Sequence, residues 1–111
     1  MNVIRIIMNV LPEKQKELLQ TLLSMIEPTG KEKGCLSYHV FRDIENQNVF
    51  SLVGEWNTRE DLDHHIKSDR FGVLLGTRSL LREPPSIQIH TVSNSEEMEV
   101  VNTIPSGAKA L

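Results

Sequence analysis

His65 is the side chain in this sequence best suited to chemistry near neutral pH. It lies in EWNTREDLDHHIKSDRF, Glu55 to Phe71, nine positions after the Trp56 that ends an apolar run. An imidazole facing the inside of a small domain can serve as base, acid or hydrogen-bond donor with only a modest environmental shift. The competing reading is a core histidine satisfied by a backbone carbonyl or a water, and spacing alone leaves both open. His64 projects about 100° away on a helix, so the pair is unlike two metal ligands placed at i and i+4. With His39 and His90 in other elements, no metal site is expected.

The elements around His65 must position it. In VFSLVGEW, Phe50, Leu52, Gly54 and Trp56 alternate with Val49, Ser51, Val53 and Glu55 at the two-residue period of a strand, and the apolar residues on both faces predict a strand covered on both sides. Asn57 or Thr58 then caps a helix, with Glu60 or Asp61 following as in a capping box. Within that helix Leu62, His65 and Ile66 share the inward stripe, while Asp63, His64 and Lys67 point outward. The helix breaks near Ser68 and Asp69 and resumes as RFGVLLGTRSLL, where Phe71, Leu74 or Leu75, Arg78 and Leu81 form a stripe with Arg78 snorkelling past the core.

Upstream, Val3 to Val10 reads as a strand, and Pro12 with Glu13 suits the first turn of a helix. Its apolar stripe is Leu18, Leu19, Leu22, Leu23 and Ile26, and Pro28 with the polar TGKEKG turn is expected to stop it. Leu36 to Asp43 and Val49 to Trp56 flank a turn at Ile44 to Asn48 and form a hairpin. Pro84 and Pro85 close the helices, and Ser86 to Val92 supplies a last strand. The order βαββαβ specifies an α+β, ferredoxin-like fold, a four-stranded antiparallel sheet with helices on one face. The first strand places Ile4, Ile6, Met8 and Val10 on one side and Val3 and Ile7 beside Arg5 and Asn9 on the other, which predicts association through the open face.

Length and charge narrow the function classes. One domain is expected from 111 residues, with residues 1–92 forming it and residues 93–111 a tail that either contacts a partner or is disordered. Met98, Val100 and Val101 could add a strand to a neighbouring subunit, and PSGAKAL reads as mobile. A net charge of −3 with pI near 5.8 disfavours nucleic-acid binding. No apolar run approaches the roughly 20 residues of a membrane span, and MNVIRIIMNV lacks a basic leader with a cleavage site, so a cytoplasmic protein is expected. The single cysteine, Cys35, excludes an internal disulfide and reads as a small strand-entry residue rather than a nucleophile.

The stretch from Gly34 to Phe71 resembles the antibiotic biosynthesis monooxygenase domain family. The resemblance is carried by a Gly-Cys turn, Gly34 and Cys35; a Tyr-bearing strand, Tyr38; an apolar strand ending in Glu55 and Trp56; and a helix with His65 before Ser68 and Phe71. It covers roughly residues 1 to 92 and is specific for fold. It implies a homodimeric α+β barrel, two such sheets packed face to face. The family's characterised oxygenases use no metal, flavin or haem and oxidise electron-rich aromatic compounds such as anthrones to quinones, the deprotonated substrate giving an electron directly to dioxygen. Carried onto this chain, the resemblance implies His65 as base or donor, Trp56 as wall and N–H donor, and Tyr38 as second donor. Arg5, Asn9 and Phe71 are implied to contact substrate. The haem-degrading branch ligates iron through a histidine in the later helix, and Gly72 to Leu81 contains none.

Two functions follow. The first is a cofactor-independent monooxygenase or related oxidoreductase acting with dioxygen on a small aromatic or quinone-like compound. The second is a non-catalytic dimeric module that binds a small ligand or serves assembly, with His65 and Trp56 as packing residues. A cavity lined by His65, Trp56 and Tyr38 supports the first, and a filled core the second.

Overall fold

The computed structural model describes residues 1–100 of the chain. Four strands, β1 (Asn2–Asn9), β2 (Cys35–Arg42), β3 (Val49–Trp56) and β4 (Ser86–Thr91), alternate with helices α1 (Gln15–Gly30), α2 (Arg59–Ile66) and α3 (Asp69–Gly76). All pairings are antiparallel and the strand order is β2-β3-β1-β4. This is the ferredoxin-like α+β arrangement expected from the sequence, with its second helix divided in two at Ser68. The part of the tail beyond Val100, including Val101 and PSGAKAL, lies outside the described residues, and residues 94–100 carry no helix or strand.

Alternation decides which side chains meet the helices. Ile4, Ile6 and Met8 on β1 stand opposite Gly54, Leu52 and Phe50 on β3, and all but the glycine are counted among the buried apolar core. Gly54 makes room where the layer is tightest. A Cβ there would come within 3.1 Å of Trp56 Nε1 and 3.3 Å of both an Ile4 methyl and the Tyr38 ring. The missing side chain lets Tyr38 and Trp56 lie side by side on the helical face.

Helix α1 buries Leu18, Leu22, Met25 and Thr29, a stripe at steps of four, three and four residues. Leu23, expected inside, is exposed, and Met25 and Thr29 take the inward positions beyond Leu22. Pro28 does not stop the helix, which runs on to Gly30. Proline removes one backbone donor, and its place on the solvent side of the last turn leaves the freed carbonyl open to water, so the turn survives. Carrying the helix through Pro28 puts Thr29 into the core.

The second helical region starts at the expected threonine: Thr58 Oγ1 accepts from the Asp61 amide at 3.1 Å. Ser68 caps α3 in the same way, accepting from the Phe71 amide at 3.2 Å while its hydroxyl donates to the His65 carbonyl at 2.6 Å. The stripe after Ser68 departs from expectation. Phe71, Leu74, Thr77 and Leu81 are buried, whereas Leu75 and Arg78 are exposed. The chain tightens into a 3₁₀ turn at Thr77–Leu80, and the three-residue period of that turn brings Thr77 inward and carries Arg78 out.

The other face of the sheet carries no helix. Val3, Ile7 and Asn9 of β1, Val49, Ser51, Val53 and Glu55 of β3, and the exposed Arg5, His39 and Phe41 lie on it. No element among the described residues covers the second side of β3.

Candidate functional site

Trp56, the last residue of β3, is fully buried at the end of the apolar layer, and His65, one turn into α2 from Leu62, lies over it. The imidazole and the indole are stacked, with ring centroids 4.6 Å apart and planes 27° from parallel. Phe71 of α3 meets the imidazole edge-on at 5.4 Å and Tyr38 of β2 at 6.2 Å. Three aromatic rings thus hold one histidine that is only 2% exposed.

The edge of the imidazole is met by a carboxylate. His65 Nδ1 lies 3.0 Å from Glu32 Oε1 and 3.1 Å from Oε2, and Arg70 Nη1 reaches Oε2 at 2.6 Å. Glu32 belongs to the turn between α1 and β2, where its amide donates to the Thr29 carbonyl at 3.0 Å and its carbonyl accepts from the Cys35 amide at 3.1 Å. Two residues on, Gly34 takes φ +79°, and a Cβ there would collide with the Asp61 side chain. Glycine at this point lets the turn close against α2 and brings Glu32 to His65. An ionised carboxylate only accepts hydrogen bonds, so Nδ1 is the donor of this pair. His65 Nε2 makes no hydrogen bond among the described residues.

Two further polar atoms are enclosed without a partner among the described residues, Trp56 Nε1 and Thr29 Oγ1. Leaving a buried donor unpaired costs about 1–3 kcal/mol, so each calls for a reason. Both border Tyr38. Burial pushes the Tyr38 phenol well above the ordinary tyrosine range; the nearby Thr29 hydroxyl pulls it partly back without completing a hydrogen bond, and Glu32 adds to the rise. Burial, and secondarily Glu32, likewise raise the Cys35 thiol. Imidazole and guanidinium therefore share one carboxylate, whose charge also reaches the phenol and the thiol.

The expected residues divide into two sets. His65, Trp56, Tyr38 and Phe71 come together, while Arg5 and Asn9 stand on the opposite face of the sheet and do not reach them. Glu32 and Arg70, which complete the cluster, were not among the sequence candidates. Glu32 sits in a charged glycine-rich turn that reads as solvated, 33 residues from His65. Only the Gly34 turn could have hinted that this loop folds inward. Clefts occur elsewhere: one of about 190 Å³ is lined by Lys33, Glu60, Asp61 and His64, and another by Pro12, Glu13, Gln15, Lys16, Leu19 and Arg42. Neither is lined by the aromatic cluster. Among the described residues no group of three or more His, Cys, Asp or Glu side chains is arranged to hold a metal ion, and no helix is long and apolar enough to cross a membrane.

The model of the antibiotic biosynthesis monooxygenase family matches residues 1–74. The chain belongs to that family. Every member of the cluster, from Thr29 to Phe71, falls inside the matched segment. A protein from Methanosarcina mazei Go1 of solved structure is 35% identical, the match covering 81% of this chain and 92% of that one, with a TM-score of 0.72. A Mycobacterium tuberculosis structure is 22% identical over 86% of this chain and 98% of that one, with a TM-score of 0.79, and shares the fold. An uncharacterized Synechocystis protein is 29% identical over 90 residues, which are 80% of this chain. The match spans 61% of that relative's length. Membership in the antibiotic biosynthesis monooxygenase family thus rests on the segment that builds β1 to α3, and the site is built by the same segment.

Proposed function

We propose that this antibiotic biosynthesis monooxygenase-family chain oxidises a small electron-rich aromatic or quinone-like compound with dioxygen, without a resident cofactor. The observation that carries the reading is the environment of His65: among the described residues one nitrogen is bound to a carboxylate, the other has no partner, and an unpaired indole N–H lies beside the ring it stacks on. A base of this kind removes a proton from an acidic methylene or phenol, and the resulting delocalised anion passes an electron to dioxygen. For a methylene between aromatic rings, CH₂ and O₂ give C=O and H₂O, so the substrate supplies both reducing equivalents. The Trp56 N–H, and the Tyr38 hydroxyl kept protonated by burial, are the donors for negative charge developing on oxygen. Phe71 and Tyr38 wall the site, and one of them must swing aside to admit a planar substrate.

The proposal extends to a second copy of the chain. Val3, Ile7, Val53 and Phe41 leave apolar surface on the helix-free face, and two such faces packed together make a homodimer with Arg5 and Asn9 in the interface rather than in the pocket.

The close contact of three rings with the buried imidazole favours one other reading, a dimeric module that binds a small ligand or serves assembly without turnover. Oxygen uptake by metal-free protein over a panel of anthrones and hydroquinones separates the two. Uptake with quinone formation that disappears in His65→Ala is expected. Uptake unchanged in that variant removes His65 from the chemistry, and no uptake with saturable ligand binding favours the module.

A further inference from the structure

We propose that Glu32 is a positioning residue which, clamped by Arg70, locks His65 in the Nδ1–H tautomer and so keeps a lone pair on Nε2. Neutral imidazole carries one proton on either nitrogen, and the partner of the fixed nitrogen decides which. Here that partner is a carboxylate with no hydrogen to give, placed within 3.1 Å of Nδ1 by both oxygens. The backbone of Glu32 is fixed by its bonds to Thr29 on one side and Cys35 on the other. Its Oε2 is also taken by Arg70 at 2.6 Å. Arg70 thus shares the carboxylate with His65 and holds it in place. Trp56 stacks on the face of the ring and Phe71 and Tyr38 meet its edges, contacts that favour the orientation with Nδ1 toward Glu32. The role rests on His65 acting as the base proposed above, yet the tautomer exists without substrate and is measured without it.

Nitrogen-15 NMR of the folded protein reads the tautomer directly. In the wild type, Nδ1 is expected at the position of a protonated nitrogen and Nε2 at that of a bare one. Glu32→Gln is expected to invert this. Arg70 claims the single amide oxygen, the –NH₂ turns to His65, Nδ1 must accept, and the proton moves to Nε2. Adding Arg70→Ala to Glu32→Gln frees the amide oxygen and is expected to restore the first pattern, an outcome a purely structural role does not produce. If the proposed reaction is established, Glu32→Gln should lower kcat by about a hundredfold or more, with a smaller change in KM. A wild-type spectrum showing Nε2–H overturns the proposal whether or not any variant folds, as does a Glu32→Gln spectrum that keeps Nδ1–H. Absence of turnover with the tautomer pattern intact instead discards the catalytic reading and leaves the lock standing.

Discussion

The two faces of the sheet are made from the same strands by the same alternation, yet they use their polar groups in opposite ways. On the helical face, Ile4, Ile6, Met8, Phe50, Leu52 and Trp56 form a continuous apolar layer into which one imidazole is admitted, and it is met by rings and a carboxylate. On the open face, apolar and polar residues alternate across strands. Arg5 stands between Val53 and Gln88 in the pairing, and Ser37 donates a hydrogen bond to Glu55. In the first environment burial penalises a polar group left alone: the imidazole is met by Glu32, while Trp56 Nε1 and Thr29 Oγ1, unpaired among the described residues, bear that cost. In the second environment water serves. Groups under the helices are therefore the ones whose proton positions are dictated by structure, and those on the open face are free to be re-partnered by another molecule.

The contrast breaks first at its two largest aromatic anchors. Trp56→Ala removes a fully buried indole from beneath His65 and is expected to cost about 3–5 kcal/mol, whereas Phe41→Ala, on a side chain 52% exposed, should change monomer stability by only about 0.5 kcal/mol. Denaturant unfolding at a protein concentration low enough to populate the monomer measures both. Equal losses would mean that the open face is as well packed as the helical one within a single chain.

Next comes the open face itself. Ile7→Asp puts a carboxylate on the central strand of the proposed interface and should weaken self-association about a hundredfold, leaving the helical face and the His65 environment unchanged. Sedimentation equilibrium reads the first effect and the His65 ring signals the second. Association unaffected by Ile7→Asp would move the interface elsewhere.

The strands and caps of this fold were legible because their causes are local. Alternation in VFSLVGEW marked a strand, Thr58 was one of the two residues expected to cap α2, and the break near Ser68 and Asp69 fell within a residue or so of the start of α3. Where the outcome hung on context, local reasoning fell short. Pro28 looks like a stop, but its missing donor falls on a solvated turn. Arg78 fits a stripe of period 3.6 that the chain abandons for a 3₁₀ turn. The site follows the same rule. His65 could be named from its type and its place on a helix, and Trp56, Tyr38 and Phe71 were named with it by the family resemblance. Glu32 and Arg70 could not, since a charged turn carries no local sign of the buried imidazole it will meet. Arg5 and Asn9, named with His65 by the resemblance, lie across the sheet from it, because the alternation of β1 turns them to the helix-free face.

A pH experiment sharpens the comparison at the helical face. The folded-state pKa of Tyr38 is raised above the value near 10 that the unfolded chain shows, since burial disfavours the phenolate. The sign follows from linkage: the unfolded state releases the proton first as pH rises, so stability is fully present below about pH 10 and declines above it. Ultraviolet titration should show Tyr38 ionising only as the fold opens, and Tyr38→Phe should flatten the alkaline slope of stability. Reversible ionisation near pH 10 in the folded protein would mean that the phenol reaches water.

The smallest effect tests how far the influence of Glu32 extends. Cys35 stands at the start of β2, paired across the sheet with Trp56, and its thiol is raised by burial first and by Glu32 second. Because the thiolate is the reactive form, alkylation at pH 8 should be several-fold slower than for a cysteine in the unfolded chain. The two causes separate in Glu32→Gln. Removing the charge while leaving the burial should recover only part of the rate, whereas denaturation recovers all of it. A full recovery in Glu32→Gln would make electrostatics dominant at Cys35. Since Cys35 is half-buried at the rim while His65 is enclosed, such a result would show that the carboxylate, and not the apolar layer, governs proton positions across this end of the helical face.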